Sequence, residues 1–378
     1  MPSPTGRGRQ NGPRLNTPQE FAPLLAGLRR LEAADFSGGA ALATLTRTRG
    51  STFRRAGARM LVCGDGSVVR GLSGGCPEAD IIARALEVIA EGQARIVRYD
   101  REHGLDALIE LGCGGELEVL IEPITHAEHL RFVPAVERCL STRQPGFLAT
   151  AFAAEGHCLK PRPRRLVWAG GVTTDELEDR SLAQAVIERG AAGLARPAVE
   201  RMPSAAGAMD VLFERLQPPH ALLLMGVNAG SLALARFAAQ LGWVVTLVDH
   251  RADAPLPDNL PAGARLLRCA PGALRAQFAL DAQCSAVVMT HNLERDIAWL
   301  AELRETPLAY LGAIGSRERA RKLQAATGLT APRLRAPAGL DVGSETPEEI
   351  ALAIAAEILA VTSGHAGGAL SSAAGPIH

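Results

Sequence analysis

Ala221-Leu222-Leu223-Leu224-Met225-Gly226-Val227-Asn228-Ala229-Gly230-Ser231 opens the part of the chain whose pattern decides the fold. Five apolar residues run unbroken into a glycine, as in a strand covered on both faces, and the small and polar residues after it turn the chain into a helix. Comparable apolar runs recur at 244–249, 264–269, 286–291 and 308–315, with helical patterns between them. This alternation predicts βα units, a parallel sheet with helices on both faces, and hence a Rossmann-like domain over residues 218–362. Its closing helix starts at Thr346-Pro347-Glu348-Glu349, a capping box with proline at the first helical position. The Gly/Ala/Ser-rich residues 363–378 are expected to form a flexible tail.

Upstream the pattern differs. Residues 1–16, rich in Pro, Gly and Arg, are expected to be a disordered tail. Thr17-Pro18-Gln19-Glu20 is another capping box, and its helix should run to about Leu31. β-type stretches follow at 41–48 and 58–71, the second split by Gly64-Asp65-Gly66 into a hairpin. A helix from Pro77 should stop before Gly92, with strands at 94–99 and 116–121. Residues 17–125 thus read as a mixed α+β domain. Residues 126–217, which include a helix at Asp175 to Arg189, read as a connecting region. The whole is α/β.

Composition narrows the function. The 378 residues include 47% hydrophobic and 21% charged types, enough for two domains with cores of their own. Lys+Arg and Asp+Glu both number 40. That balance argues against nucleic-acid binding by bulk charge, so an anionic ligand must be held by a local cluster. No N-terminal apolar segment resembles a signal peptide, and the long uncharged stretch 217–235 is broken by Pro218, Pro219, Asn228, Gly230 and Ser231. No membrane span is expected. The seven cysteines form no CxxC pair, which speaks against a disulfide framework or a zinc knuckle and for a reducing cytoplasm.

Several residues could carry chemistry. In Ser73-Gly74-Gly75-Cys76-Pro77-Glu78, Cys76 stands at the expected N-cap of a helix, where unpaired N–H groups and the helix dipole favour a thiolate, although Glu78 opposes this. Leu111-Gly112-Cys113-Gly114-Gly115 sets a second cysteine in a glycine loop. Together Cys76 and Cys113 could bind a soft ligand, such as a molybdenum–sulfur group, or relay sulfur. The plainer alternative, two small residues in tight turns, ranks slightly ahead on the residues alone. Cys63, Cys139, Cys158, Cys269 and Cys284 read as packing residues. Gly50-Ser51-Thr52-Phe53-Arg54-Arg55 suits a phosphate through Ser51, Arg54 and Arg55, or is simply a solvated basic turn.

In the Rossmann-like half, ligands belong at the carboxyl ends of the strands. A dinucleotide fingerprint would place glycines at Asn228 and Ser231, so only Gly226 matches. A side chain at either position is expected to project into the space of the phosphate oxygens. Asp249 stands where a ribose hydroxyl would be held. His291 and Asn292 end the fourth strand, and Gly312, Gly315, Ser316 and Arg317 the fifth. A lone histidine at a strand end is more often structural than catalytic, and no general acid–base set emerges.

The stretches 50–55 and 57–62, Ser73 to Cys76 and Gly112 to Gly115 resemble the N-terminal domain of the XdhC/CoxI family. Leu241-Gly242-Trp243 through Asp249, Val288 to Asn292, Tyr310 to Gly312, Gly315 to Arg317 and Gly339-Leu340-Asp341 resemble its C-terminal Rossmann domain. The resemblance implies a maturation factor that binds molybdenum cofactor (molybdopterin), protects it during sulfuration and delivers it to a xanthine dehydrogenase-like apo-enzyme. It also implies a cytoplasmic homodimer that meets a cysteine desulfurase, with cofactor contacts at Cys76, Cys113, Gly74, Gly75, Gly114, Ser51, Arg54, Arg55, Gly226, Asp249, His291, Asn292, Gly312, Gly315, Ser316 and Arg317. Where relatives carry a glycine-rich turn, this chain departs at 226–231, so NAD(P) is not expected to bind well. Pro77 replaces a usual aliphatic residue and suits a helix start. A non-catalytic insertion chaperone ranks above an NAD(P)-dependent oxidoreductase, and a module that has lost its ligand is a third possibility.

Overall fold

The computed structural model describes residues 18–50, 52, 54–72, 77–100, 115–194 and 196–372. The chain divides into two compact units, one ending at Pro218 and the other beginning at Pro219.

In the first unit, β1 (Ala40–Arg49) pairs antiparallel with β2 (Arg59–Cys63) and with β5 (Glu116–Ile124). β3 (Val68–Val69) and β4 (Arg95–Tyr99) flank them, giving the order β3-β2-β1-β5-β4. The expected hairpin is present: Gly66, at φ +80°, donates its N–H to the Cys63 carbonyl, and Asp65 Oδ1 accepts from the Ser67 N–H at 2.8 Å. β1 is covered on both faces, which follows from its alternating side chains. Ala41, Ala43 and Leu45 pack with Ile81, Ala85 and Val88, which share one stripe of α2 (Pro77–Glu91). Ala40 and Leu42 join Phe21, Leu24, Leu25 and Leu28 of α1 (Pro18–Ala33).

The residues expected to connect the domains build a second antiparallel sheet in the same unit. Its members are β6 (Gly146–Ala154), β8 (Arg164–Ala169), β9 (Val172–Asp175), β10 (Ala198–Ser204) and β11 (Gly207–Leu216), ordered β10-β11-β6-β8-β9, with β7 (His157–Cys158) beside β6. α3 (Val133–Thr142) packs Val136 and Cys139 with Leu148, Val167 and α1, so the two sheets share a core. α4 runs over Arg180–Ala191 rather than from Asp175, because Asp179 is its N-cap and accepts from the N–H groups of Ser181 and Leu182. It covers Phe147 and Phe213 with Leu182 and Val186.

The second unit is the expected parallel sheet. β12 (Ala221–Met225), β13 (Val244–Asp249), β14 (Arg265–Arg268), β15 (Cys284–Val288) and β16 (Tyr310–Ala313) are all parallel and ordered β14-β13-β12-β15-β16. Side-chain alternation along β12 sends Leu222 and Leu224 to one face and Leu223 and Met225 to the other. The first pair meets Leu234 and Ala238 of α5 (Ala229–Gln240), together with residues of the last helix. The second meets Trp299, Leu300 and Leu303 of α7 (Leu293–Leu303) and Leu323 of α8 (Arg317–Thr327), beyond the short α6 (Leu274–Gln277). The last helix, α9 (Pro347–Ser363), begins with the predicted capping box: Thr346 Oγ1 accepts from the Glu349 N–H, and Glu349 accepts from that of Thr346. β12 lies between β13 and β15, where the winding of the sheet reverses, so the crevice opens at its carboxyl end. Among the described residues, no helix is long and apolar enough to cross a membrane.

Candidate functional site

A cavity of about 250 Å³ lies at this crevice. It is lined by Gly226, Val227, Asn228, Val248, Asp249, His250, Arg251, Thr290, His291, Arg295 and Trp299. Its floor depends on Gly226, whose φ is +107°. A Cβ there would sit 2.8 Å from the Met289 carbonyl oxygen and 2.9 Å from the Thr290 Cα, so only glycine lets β12 and the end of β15 approach this closely.

Beyond Gly226 the chain caps the helix N-terminus that a pyrophosphate would use. Asn228 is the N-cap of α5. Its Oδ1 accepts from the Ser231 N–H at 3.0 Å, the Ser231 Oγ accepts from the Asn228 N–H at 2.9 Å, and the Asn228 Nδ2 donates to the Met289 carbonyl at 2.7 Å. Ser231 is buried, so the expectation that it projects into the phosphate space is corrected: it folds back into a capping box. Asn228 does line the cavity.

Asp249, at the end of β13, is also engaged. It accepts from the Arg251 backbone N–H at 2.9 Å, from Nε at 3.1 Å and from Nη2 at 2.8 Å. The guanidinium holds its carboxyl below the usual carboxylate range. His250 Nδ1 lies 3.4 Å from the same carboxylate.

Across the crevice, His291 adopts the left-handed backbone at φ +58°, a region that histidine visits more readily than most residues. Its neighbours fix it there. Thr290 donates both its N–H and its hydroxyl to Asp296, and the Thr290 Oγ1 accepts from the Asn292 N–H. Asp296, fully buried on α7, also receives Arg319 of α8. Asn292 caps α7 by accepting from the Arg295 N–H at 3.0 Å. The Arg295 side chain has no carboxylate partner among the described residues.

The structure therefore gathers Gly226, Asp249 and His291 around one cavity and adds Arg251, Arg295 and His250, with the buried Asp296 holding Thr290 behind it, none of them expected from the sequence. An arginine two residues beyond a strand-end aspartate was a legible signal. So was an acid at Asp296, on the same stripe as Trp299, Leu300 and Leu303. Gly312, Gly315, Ser316 and Arg317 do not line the cavity. Gly312 has a packing reason, since a Cβ there would sit 2.7 Å from the Tyr310 ring and 3.1 Å from Ala338. Gly315 has φ +139°, Ser316 caps α8, and Arg317 is exposed. In the first unit, Thr52 Oγ1 donates to the Arg54 carbonyl at 2.8 Å, and burial and the nearby Arg196 guanidinium lower the Arg55 pKa. Ser51, Gly74, Gly75, Cys76, Cys113 and Gly114 lie outside the described residues. No cluster of three or more metal-ligating side chains occurs among the described residues.

Comparisons with known proteins agree with this architecture. Residues 222–358 match the family model described as the XdhC Rossmann domain, and residues 37–100 match that of the XdhC and CoxI family. A protein of Bacillus subtilis described as a probable subunit of xanthine dehydrogenase is 28% identical over 323 residues, covering 85% of this chain and 92% of the relative. The "Molybdenum cofactor insertion chaperone PaoD" of Escherichia coli is 26% identical over 337 residues, covering 88% and 86% respectively. The fold is shared with the crystal structure of a xanthine dehydrogenase from Bacillus halodurans, at a TM-score of 0.74 and 23% identity over 93% of this chain and 98% of that one. With both matched domains in order and together covering more than half of its residues, the chain belongs to the XdhC and CoxI family.

Proposed function

We propose that this chain is a maturation factor: it binds molybdenum cofactor as cargo and helps insert it, in sulfurated form, into a xanthine dehydrogenase-like hydroxylase. The observation that carries this reading is the state of the strand-end cavity. A nicotinamide dinucleotide would need a free helix N-terminus for its pyrophosphate and a free carboxylate for its ribose. Here Asn228 caps the first by accepting from the Ser231 N–H, and Arg251 is paired with Asp249. The guanidinium and imidazole groups that remain suit an anionic cargo. The relative named as an insertion chaperone, aligned over 88% of this chain, supports the choice of cargo.

In this reading the chain works by holding and transferring rather than by catalysis. Cys76 and Cys113 contact molybdenum or its sulfur ligand, with Ser51, Gly74, Gly75 and Gly114 around them. Arg54 and Arg55 serve the anionic part of the cargo; in the second unit Gly226, Asp249 and His291 border the cavity that receives it, while Asn292, Gly312, Gly315, Ser316 and Arg317 lie outside that cavity. The protein acts as a cytoplasmic homodimer and meets both a cysteine desulfurase and the apo-hydroxylase.

Native mass spectrometry of the purified protein tests this. A bound pterin, and activation of a cofactor-free hydroxylase by the loaded protein, are the expected results. Micromolar NAD affinity, about −8 kcal/mol, with no pterin retained would overturn it in favour of the oxidoreductase.

A further inference from the structure

We infer that the cavity at the ends of β12, β13 and β15 receives a phosphate group, a monoester or a diphosphate, and that Arg295 and Arg251 hold it in place of the α5 N-terminus. This rests on the cargo reading above and deepens it.

Three observations carry the inference. The first is charge. Two guanidinium groups line the cavity against one carboxylate, and that carboxylate is already paired. Most guanidinium groups near carboxylates in this protein are spoken for, as in Arg59–Glu214, Arg165–Glu122 and Arg319–Asp296. Arg295 is an exception: it borders the cavity, half-buried, with no acidic partner among the described residues. Arg251 spends Nε and Nη2 on Asp249, and its Nη1 has no hydrogen-bond partner among the described residues. Asp249 thus works as a brace that presents one edge of a planar donor fork, the geometry that suits phosphate oxygens.

The second observation is the backbone at His291. Left-handed backbone at a non-glycine residue persists where the surroundings over-determine it, and such positions gather at ligand sites. The buried Asp296 does this by binding both donors of Thr290. The imidazole is left exposed at the cavity, with no role in packing.

The third is size. Ligand pockets usually measure about 300–1,000 Å³, and 250 Å³ falls below that range. The cavity has room for a phosphate with the small group attached to it. A phosphate ester on a pterin and the 5′-phosphate of a nucleotide share this chemistry.

Titration calorimetry on the full chain separates the outcomes. Inorganic pyrophosphate and adenosine 5′-phosphate should bind, while adenosine should not. Arg295→Gln and Arg251→Gln should each weaken pyrophosphate at least tenfold with unchanged circular dichroism, and Arg295→Lys should recover part of the loss. Pyrophosphate binding with adenosine 5′-phosphate excluded would assign the site to a non-nucleotide phosphate ester, and equal binding would admit a nucleotide. Equal affinity for adenosine and its phosphate, no binding of either phosphate probe, or indifference to both substitutions would overturn the inference. The two readings fail separately. Pterin retained in full by Arg295→Gln/Arg251→Gln sinks the phosphate subsite alone, whereas phosphate binding without any retained pterin sinks the cargo reading alone.

Discussion

Arg319 and Asp296 join the first turns of two successive helices: Nη2 donates to Oδ2 at 2.5 Å, and the aspartate side chain is completely buried. The same carboxylate holds Thr290, so a single side chain links α8 to the cavity loop.

Removing it should be costly. Asp296→Ala leaves the largely buried Arg319 guanidinium and the Thr290 donors without their acceptor, a change that costs about 3–5 kcal/mol for a buried pair. Asp296→Asn keeps an acceptor for Thr290 and should cost less. Urea unfolding of the three proteins measures both. A loss below about 1 kcal/mol for the alanine variant, the level of an exposed ion pair, would show that Arg319 reaches solvent instead.

A second buried pair ties the two sheets of the first unit together. Arg59 of β2 and Glu214 of β11 are 4% and 0% exposed in their side chains, and Arg59 also lies over the Phe21 ring. Glu214→Ala should destabilise that unit by about 3–5 kcal/mol, because it strands a cation in the core. Arg59→Met combined with Glu214→Leu should recover most of the loss, since no charge is then left buried. A double variant no more stable than Glu214→Ala would contradict this.

The Asn228 cap can be tested by its own chemistry. Asn228→Ala should cost about 1 kcal/mol, whereas Asn228→Gly should cost only a few tenths, about the usual spread for N-caps. Denaturant midpoints for the two variants should therefore differ. Equal midpoints would mean that the Met289 contact, and not the cap, sets the worth of this side chain.

Legibility varied with how local the determining contacts are. The parallel sheet could be read directly, because strands such as Ala221–Met225 are buried on both faces and announce themselves as unbroken apolar runs. The antiparallel sheet of residues 146–216 could not. β6 is buried along nearly its whole length, by α4 on one face and by α3 and the first sheet on the other, which erases the period-2 signal, and its unit is joined by distant pairs such as Arg59–Glu214. In the site, Asp249 and His291 follow from their places at strand ends. Arg295 does not, since nothing in spacing separates a helix-surface arginine from one that faces a cavity. Gly312 stands at a strand end where a ligand glycine is expected, yet the Tyr310 ring and Ala338 account for it.

Acid should weaken the first unit through Asp179. Its carboxylate caps α4, and hydrogen bonds from Ser181, Ala205 and Leu182 lower its pKa to about 2. The folded value lies below the unfolded one of about 3.9, so the contribution is complete above that pH and is lost as pH falls through about 2. Asp179→Asn keeps a capping oxygen that does not titrate. Melting temperatures between pH 5 and pH 2 should fall more steeply for the native chain than for this variant, and parallel curves would exclude the aspartate as a source.

Thiol chemistry offers the most direct view of the residues assigned to the cargo. Burial pushes the Cys139 and Cys158 thiols up to about 11, so at pH 8 only about one in a thousand is thiolate, the reactive form. Cys269 is raised by burial as well, and Cys284 is buried. Cys76, expected at a helix start, should instead ionise below the ordinary value of about 8.5. Timed alkylation with iodoacetamide, read by peptide mass spectrometry, should label Cys76 first, Cys113 after it, and Cys139 and Cys158 last. Bound molybdenum cofactor should slow the first two and leave the others unchanged. Labelling of Cys139 or Cys158 ahead of Cys76 would remove the thiolate argument, and equal rates with and without cofactor would separate both glycine-flanked cysteines from the cargo.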